Sequence, residues 1–130
     1  MSITIVGLDH LQLAMPRGGE AAARHFYGTL LGLREVTKPP TLRAAGGCWF
    51  EGKGISFHLG VEEPFTPARK AHPALRVSDL DAALSHLAAA GIEITRDQRV
   101  PEVRRAYIHD PFGNRIELLQ AGDRYPSGEG

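Results

Sequence analysis

One pattern is written twice along this chain of 130 residues, and that repetition limits the possible folds more than any other feature. In His10-Leu11-Gln12-Leu13-Ala14-Met15, leucines and methionine alternate with the other residues, the period of a strand with two unlike faces, and the pattern extends back to residue 3. Ala23, Phe26, Tyr27, Leu30 and Leu31 then fall on one helical stripe, and Gly32 stands where a left-handed C-terminal cap belongs. Short strands are predicted at 34–37, 47–51 and 54–61, separated by Pro39-Pro40 and Gly52-Lys53-Gly54. The pattern restarts with a strand at 72–77, where Pro73 withdraws one backbone donor and so places the strand's start at its first or second residue. Ser78 and Asp81 suggest a capping box, and Leu80, Ala83, Leu84, Leu87 and Ala88 repeat the stripe before Gly91 closes it. Strands at 92–96, 104–109 and 115–119 follow, with the turn Asp110-Pro111-Phe112-Gly113-Asn114 before the last.

The offsets agree. His10 and His72 lie 62 residues apart, Gly32 and Gly91 lie 59 apart, and Phe57-His58-Leu59 matches Ile116-Glu117-Leu118 at 59. A period near 60 that occurs twice is no solenoid. The fold class predicted is α+β: two βαβββ modules, about 3–62 and 72–120, joined by a linker at 62–71 into one domain spanning 1–122. Each sheet is covered by one helix, and its other face forms half of a U-shaped cup. The linker decides whether the modules pair within one chain or between chains. The polar, turn-rich tail at 123–130 reads as flexible.

Composition removes several function classes. Fifteen Lys and Arg balance fifteen Asp and Glu, so neither a basic nucleic-acid surface nor a polybasic membrane anchor is expected. The single Cys48 excludes an internal disulfide framework and a cysteine-cluster zinc site. No apolar run approaches the roughly 20 residues of a membrane helix. The N-terminus lacks a basic stretch followed by a long apolar one, so a cytoplasmic protein is the expectation.

The period of two singles out candidate site residues. His58 opposes Phe57 and Leu59, Glu117 opposes Ile116 and Leu118, and His10 and Gln12 share a face. If the larger apolar sets pack under the helices, His10, His58, His72 and Glu117 point into the cup. Three neutral imidazoles and one carboxylate suit a divalent first-row metal and leave it about one positive charge for substrate oxygens. Histidines that hydrogen-bond across a sheet would show the same spacing. Arg105 and Tyr107 share a strand face, where they would hold an anionic or aromatic substrate or lie solvated at an edge. Trp49 reads as pocket wall or core and Cys48, on the opposite face, as packing. His25 and His86 read as surface residues, His109 as structural, and Arg69-Lys70 as a solvated connector.

Four segments carry a resemblance: Leu8-Asp9-His10-Leu11-Gln12-Leu13, the stretch from His25 to Leu33, the stretch from His72 to Asp81, and the stretch from Asp110 to Leu118. In these the chain resembles the vicinal oxygen chelate superfamily, which includes glyoxalases, bleomycin-resistance proteins and dioxygenases. The resemblance implies metal ligands at His10, His58, His72 and Glu117, with intervals of 48, 14 and 45 residues as in short bacterial glyoxalase I. That enzyme usually carries Glu where His58 stands. The set therefore looks closer to the two-histidine, one-carboxylate arrangement of extradiol dioxygenases and fosfomycin-modifying transferases. The function implied is a metal-dependent lyase, isomerase, transferase or oxygenase that chelates adjacent oxygens of a small substrate and stabilises an enolate or oxyanion. Zn, Ni, Fe or Mn would serve, His58 and Glu117 would be catalytic, and Trp49, Arg105 and Tyr107 would contact substrate. A homodimer is expected. The competing reading is a metal-free, drug-sequestering protein of the bleomycin-resistance type.

Overall fold

The computed structural model describes residues 2–127. The chain divides into two compact units, Met1–Phe65 and Thr66–Gly130. Each is a four-stranded sheet with one crossover helix, in the same strand topology.

In the first unit, β1 (Leu11–Met15) runs parallel to β4 (Ile55–Val61), and β4 pairs antiparallel with β3 (Cys48–Gly52), which pairs with β2 (Arg34–Val36). A parallel neighbour cannot be reached by a hairpin, so the helix supplies the crossover after β1. That helix begins as α1 (Glu20–Ala23) and widens at once into a π-helical stretch, Arg24–Leu30. The Leu31 amide donates to the Phe26 carbonyl at 2.9 Å, an i→i+5 bond. The wider turn makes the apolar stripe drift. Ala23, Phe26 and Tyr27 are buried, whereas Leu30 and Leu31 are only half-buried. Tyr27 lies 4.7 Å from Phe57 and 5.7 Å from Phe50 between ring centroids, which seats the helix on the sheet. Met15, Cys48 and Leu59 complete this core.

Between β2 and β3 a 3-10 turn, Pro40–Ala45, leads to Gly47. There φ is +87° and a β-carbon would stand 2.1 Å from the Leu59 carbonyl oxygen, so no side chain fits. The strand expected from residue 3 begins only at Leu11. Residues 2–10 pair with no strand among the described residues, and Ile3, Ile5, Val6 and Leu8 are at least 80% exposed. Alternation makes a segment fit for a sheet but does not provide the neighbour whose backbone would pair with it.

The second unit repeats the plan. β5 (Ala74–Val77) runs parallel to β8 (Arg115–Gln120), and β8 pairs antiparallel with β7 (Arg105–His109), which pairs with β6 (Thr95–Asp97). The crossover helix α2 (Leu80–Ala89) buries Leu80, Leu84 and Leu87 and leaves Ala88 exposed. Its N-cap is Asp79, not Ser78: the Asp79 carboxylate accepts from the Ala82 amide at 3.0 Å. Strand β6 starts three residues later than expected, because the Ile92 amide is spent on the Leu87 carbonyl in closing the helix. The Asp-Pro turn owes its shape to the buried Asp110, whose side chain accepts from the amides of Phe112 and Asn114 and from the Asn114 side-chain amide. The tail is tied down where it is described: the Arg104 guanidinium and backbone amide all donate to Asp123. Residues 128–130 lie outside the described residues.

Candidate functional site

Strand register decides what each sheet presents on the face away from its helix. In the first unit Gln12, His58 and Trp49 are successive cross-strand partners, so all three share that face. His10, just ahead of β1, joins them. Its ring lies 4.2 Å from that of His58, which in turn stacks on Trp49 at 3.9 Å with the planes 2° from parallel. The result is a three-ring stack with His58 in the middle.

The protonation pattern of the stack follows from its partners. The Asp9 carboxylate lies 2.7 Å from His10 Nδ1 and is the acceptor there, so Nδ1 carries a proton and, in the neutral ring, Nε2 has the lone pair. His58 Nδ1 is buried without a hydrogen-bond partner among the described residues. Burial first, then the neighbouring His10, holds His58 below the usual imidazole range. A neutral His58 is the form that a ligand or a general base requires.

In the second unit Ala74, Glu117 and Tyr107 are cross-strand partners, so Glu117 and Tyr107 share the face that His72 approaches from just before β5. Glu117 is buried. His72 Nε2 stands 3.1 Å from Glu117 Oε1, while His72 Nδ1 stands 2.8 Å from the Lys70 carbonyl oxygen. A carbonyl only accepts, so Nδ1 carries a proton and Nε2 faces the carboxylate with either a second proton or a lone pair. Two facing lone-pair atoms repel unless a cation lies against both. The 3.1 Å spacing is that of an N–H···O hydrogen bond, and a cation held between His72 Nε2 and Glu117 would take the place of that proton. The backbone bond at Nδ1 is the usual outer support of a metal-binding imidazole.

Around this pair lies a polar network. Arg105 donates to Asp97 at 3.0 Å and to the hydroxyls of Tyr107 and Tyr125 at 2.9 and 2.7 Å, and its guanidinium comes within 3.6 Å of Glu117 Oε1. Tyr125 donates to Glu117 Oε2 at 2.6 Å. Asp97 is held well below the usual carboxylate range by hydrogen bonds from Arg99, with Arg105 adding to the effect. Arg115 lies 3.8 Å above the Tyr107 ring centroid, a close cation–π contact. A surface cleft of about 230 Å³ borders the network, lined by Asp97, Gln98, Arg104 and Arg105 among others.

The two halves of the expected ligand set thus appear as pairs, His10 with His58 and His72 with Glu117. Among the described residues no group of three or more His, Cys, Asp or Glu is assembled to hold a metal by itself. Trp49 lies against His58, and Arg105 and Tyr107 lie beside Glu117. His25, His86 and His109 are exposed, and Cys48 is buried with its thiol pushed up to about 11 by desolvation. Sequence reasoning missed Tyr125, Asp97 and Arg115. Only Arg115 carried a usable signal, since it alternates in phase with Glu117.

The model of the Glyoxalase/Bleomycin resistance protein/Dioxygenase superfamily matches residues 7–118, and the chain belongs to that family. A Bacillus anthracis crystal structure assigned to the glyoxalase family is 46% identical, with a TM-score of 0.88 over 92% of this chain and 98% of that one. The genomically encoded fosfomycin resistance protein FosX from Listeria monocytogenes is 19% identical, with a TM-score of 0.73 over 91% and 95% of the two chains. TnmS3, an antibiotic binding protein from Streptomyces sp. CB03234, is 24% identical, with a TM-score of 0.67 over 90% and 98%. These last two likenesses are of fold alone. No curated protein matches the sequence.

Proposed function

We propose that this chain is a metal-dependent enzyme of the glyoxalase/dioxygenase type acting on a small, oxygen-rich molecule. The carrying observation is the buried Glu117 carboxylate facing His72 Nε2 at 3.1 Å while Lys70 fixes the other ring nitrogen. His10 and His58 complete the proposed ligand set, and Zn, Ni, Fe or Mn fits its mixture of imidazole and carboxylate. A divalent cation held there would act as a Lewis acid toward adjacent substrate oxygens and stabilise an enolate or oxyanion beside them. The reaction is a lyase, isomerase, transferase or oxygenase step.

The chain's own groups have separate tasks in this reading. His58, kept neutral by burial, is a ligand or the base that takes a substrate proton. Glu117 is ligand and charge partner together. Arg105 and Tyr107 orient an anionic or aromatic substrate group, and Trp49 is a wall beside His58. The exposed apolar side chains of residues 3–8 support a homodimer, in which they would be covered by a second copy. The lone, buried Cys48 suits the reducing cytoplasm, and no helix among the described residues is long and apolar enough to cross a membrane.

Metal analysis of untagged protein tests the proposal. Wild type should carry close to one equivalent of a first-row metal after reconstitution and desalting, and Glu117→Ala should carry almost none. Equal and negligible metal in both would end it.

One observation favours a second reading, a metal-free drug-sequestering protein: the Trp49 and His58 rings lie 2° from parallel with His10 stacked on at 21°, an aromatic column on which a planar ligand could continue the stack. Under that reading metal-free protein takes up a planar antibiotic with quenching of Trp49, and Glu117→Ala does so equally well.

A further inference from the structure

The C-terminal segment beyond β8 is not spare chain. Asp123 is clamped by Arg104, and two residues later the Tyr125 hydroxyl reaches Glu117 Oε2 at 2.6 Å. Arg105 Nη1 stands 2.7 Å from the same hydroxyl. A guanidinium can only donate, so the hydroxyl oxygen accepts from Arg105 and its single proton is committed to the carboxylate. The chain of donation therefore runs one way, from Arg105 through Tyr125 to Glu117. Arg105 is itself fixed from its other side by Asp97. The two oxygens of Glu117 are thereby made unequal: Oε2 accepts the Tyr125 hydrogen bond, and Oε1 faces His72 Nε2, with Arg105 Nη1 3.6 Å away.

We propose that Tyr125 is a positioning residue that reserves Glu117 Oε1 as the single ligating oxygen of the metal site. This rests on the reading of Glu117 as a ligand. A hydrogen bond held on Oε2 disfavours a grip on an ion by both oxygens, which would leave one more coordination position for substrate. The segment that does this lies outside the repeated modules, so it is an addition to the second module with no counterpart in the pattern of the first.

The test compares wild type with Tyr125→Phe, which keeps the ring and removes the hydroxyl, and with a chain ending after Arg124, which keeps the Asp123 clamp. Affinity for Zn(II), Ni(II) and Mn(II), each alone, is measured by competition with a chelating dye. Glu117 coordination is read from X-ray absorption or a crystal structure of the loaded protein. Both variants should bind metal about tenfold more weakly, the usual effect of losing an outer-shell partner. Glu117 should bind through one oxygen in wild type and through two in Tyr125→Phe. Affinities within twofold of one another, or the same coordination in wild type and variant, would overturn the role of Tyr125 and leave the metal site standing. A wild type that takes up none of the three metals would overturn both together.

Discussion

The indole of Trp49 and the imidazole of His58 lie in nearly parallel planes 3.9 Å apart, on neighbouring strands in direct register. Aromatic pairs of this kind are worth about 0.5–1.5 kcal/mol beyond the area they bury. Trp49→Ala removes both contributions and should lower the unfolding free energy by about 2 kcal/mol. It also frees the His58 ring, so metal affinity should fall several-fold, with Trp49→Phe in between. Urea unfolding followed by circular dichroism, with metal titrations alongside, checks both; a Trp49→Ala protein equal to wild type in both would show that the stack positions nothing.

Buried Asp110 accepts hydrogen bonds from the Phe112 and Asn114 amides and from the Asn114 side chain within its own turn. Asp110→Ala removes the acceptor of these bonds and should cost about 3 kcal/mol. The turn carries the chain from β7 to β8, so the loss should reach Glu117. A stable Asp110→Ala variant with wild-type metal affinity would contradict this.

Gly47 permits a backbone conformation and a close approach that no side chain tolerates. Gly47→Ala should destabilise by about 3 kcal/mol or drive the protein into inclusion bodies, since the conflict is with backbone rather than a movable side chain. Gly54→Ala, where the β-carbon meets nothing within 4 Å, should cost less despite its φ of +71°. Thermal melts of the two variants side by side decide the ranking.

Hydrogen bonds from the Arg104 side chain and backbone hold the Asp123 carboxyl down at about 2. In the unfolded chain an aspartate titrates near 3.9, so between those values the unfolded state binds more protons and folding loses stability as the pH falls. The Asp123 contribution is full above about pH 4 and fades toward about pH 2. The gap in melting temperature between wild type and Asp123→Asn should be constant from pH 7 to about 5 and close on further acidification. A gap that widens on acidification would reverse the assignment.

The duplicated architecture was legible from residue order. Alternation in β4 and β8 sets Phe57 and Leu59 against His58, and Ile116 and Leu118 against Glu117, and a two-residue period leaves no other way to bury the apolar set. The buried helix residues were legible where the turn stays regular, as at Leu80, Leu84 and Leu87, and drifted at Leu30 and Leu31 because nothing local announces an i→i+5 turn. Ser78 and Asp79 both suit an N-cap; which one serves depends on the φ and ψ reached after β5.

Sequence alone, then, determined the two modules and the face on which His58 and Glu117 stand, because both follow from short-range periodicity and the burial of apolar surface. Tertiary structure decided the rest: that Trp49 and His10 sandwich His58, that Lys70 fixes His72, and that Tyr125 reaches back to Glu117. Those contacts depend on strand register and on the course of loops and tail. Separation along the chain does not encode them, since a hydrogen bond is set by the final positions of two atoms.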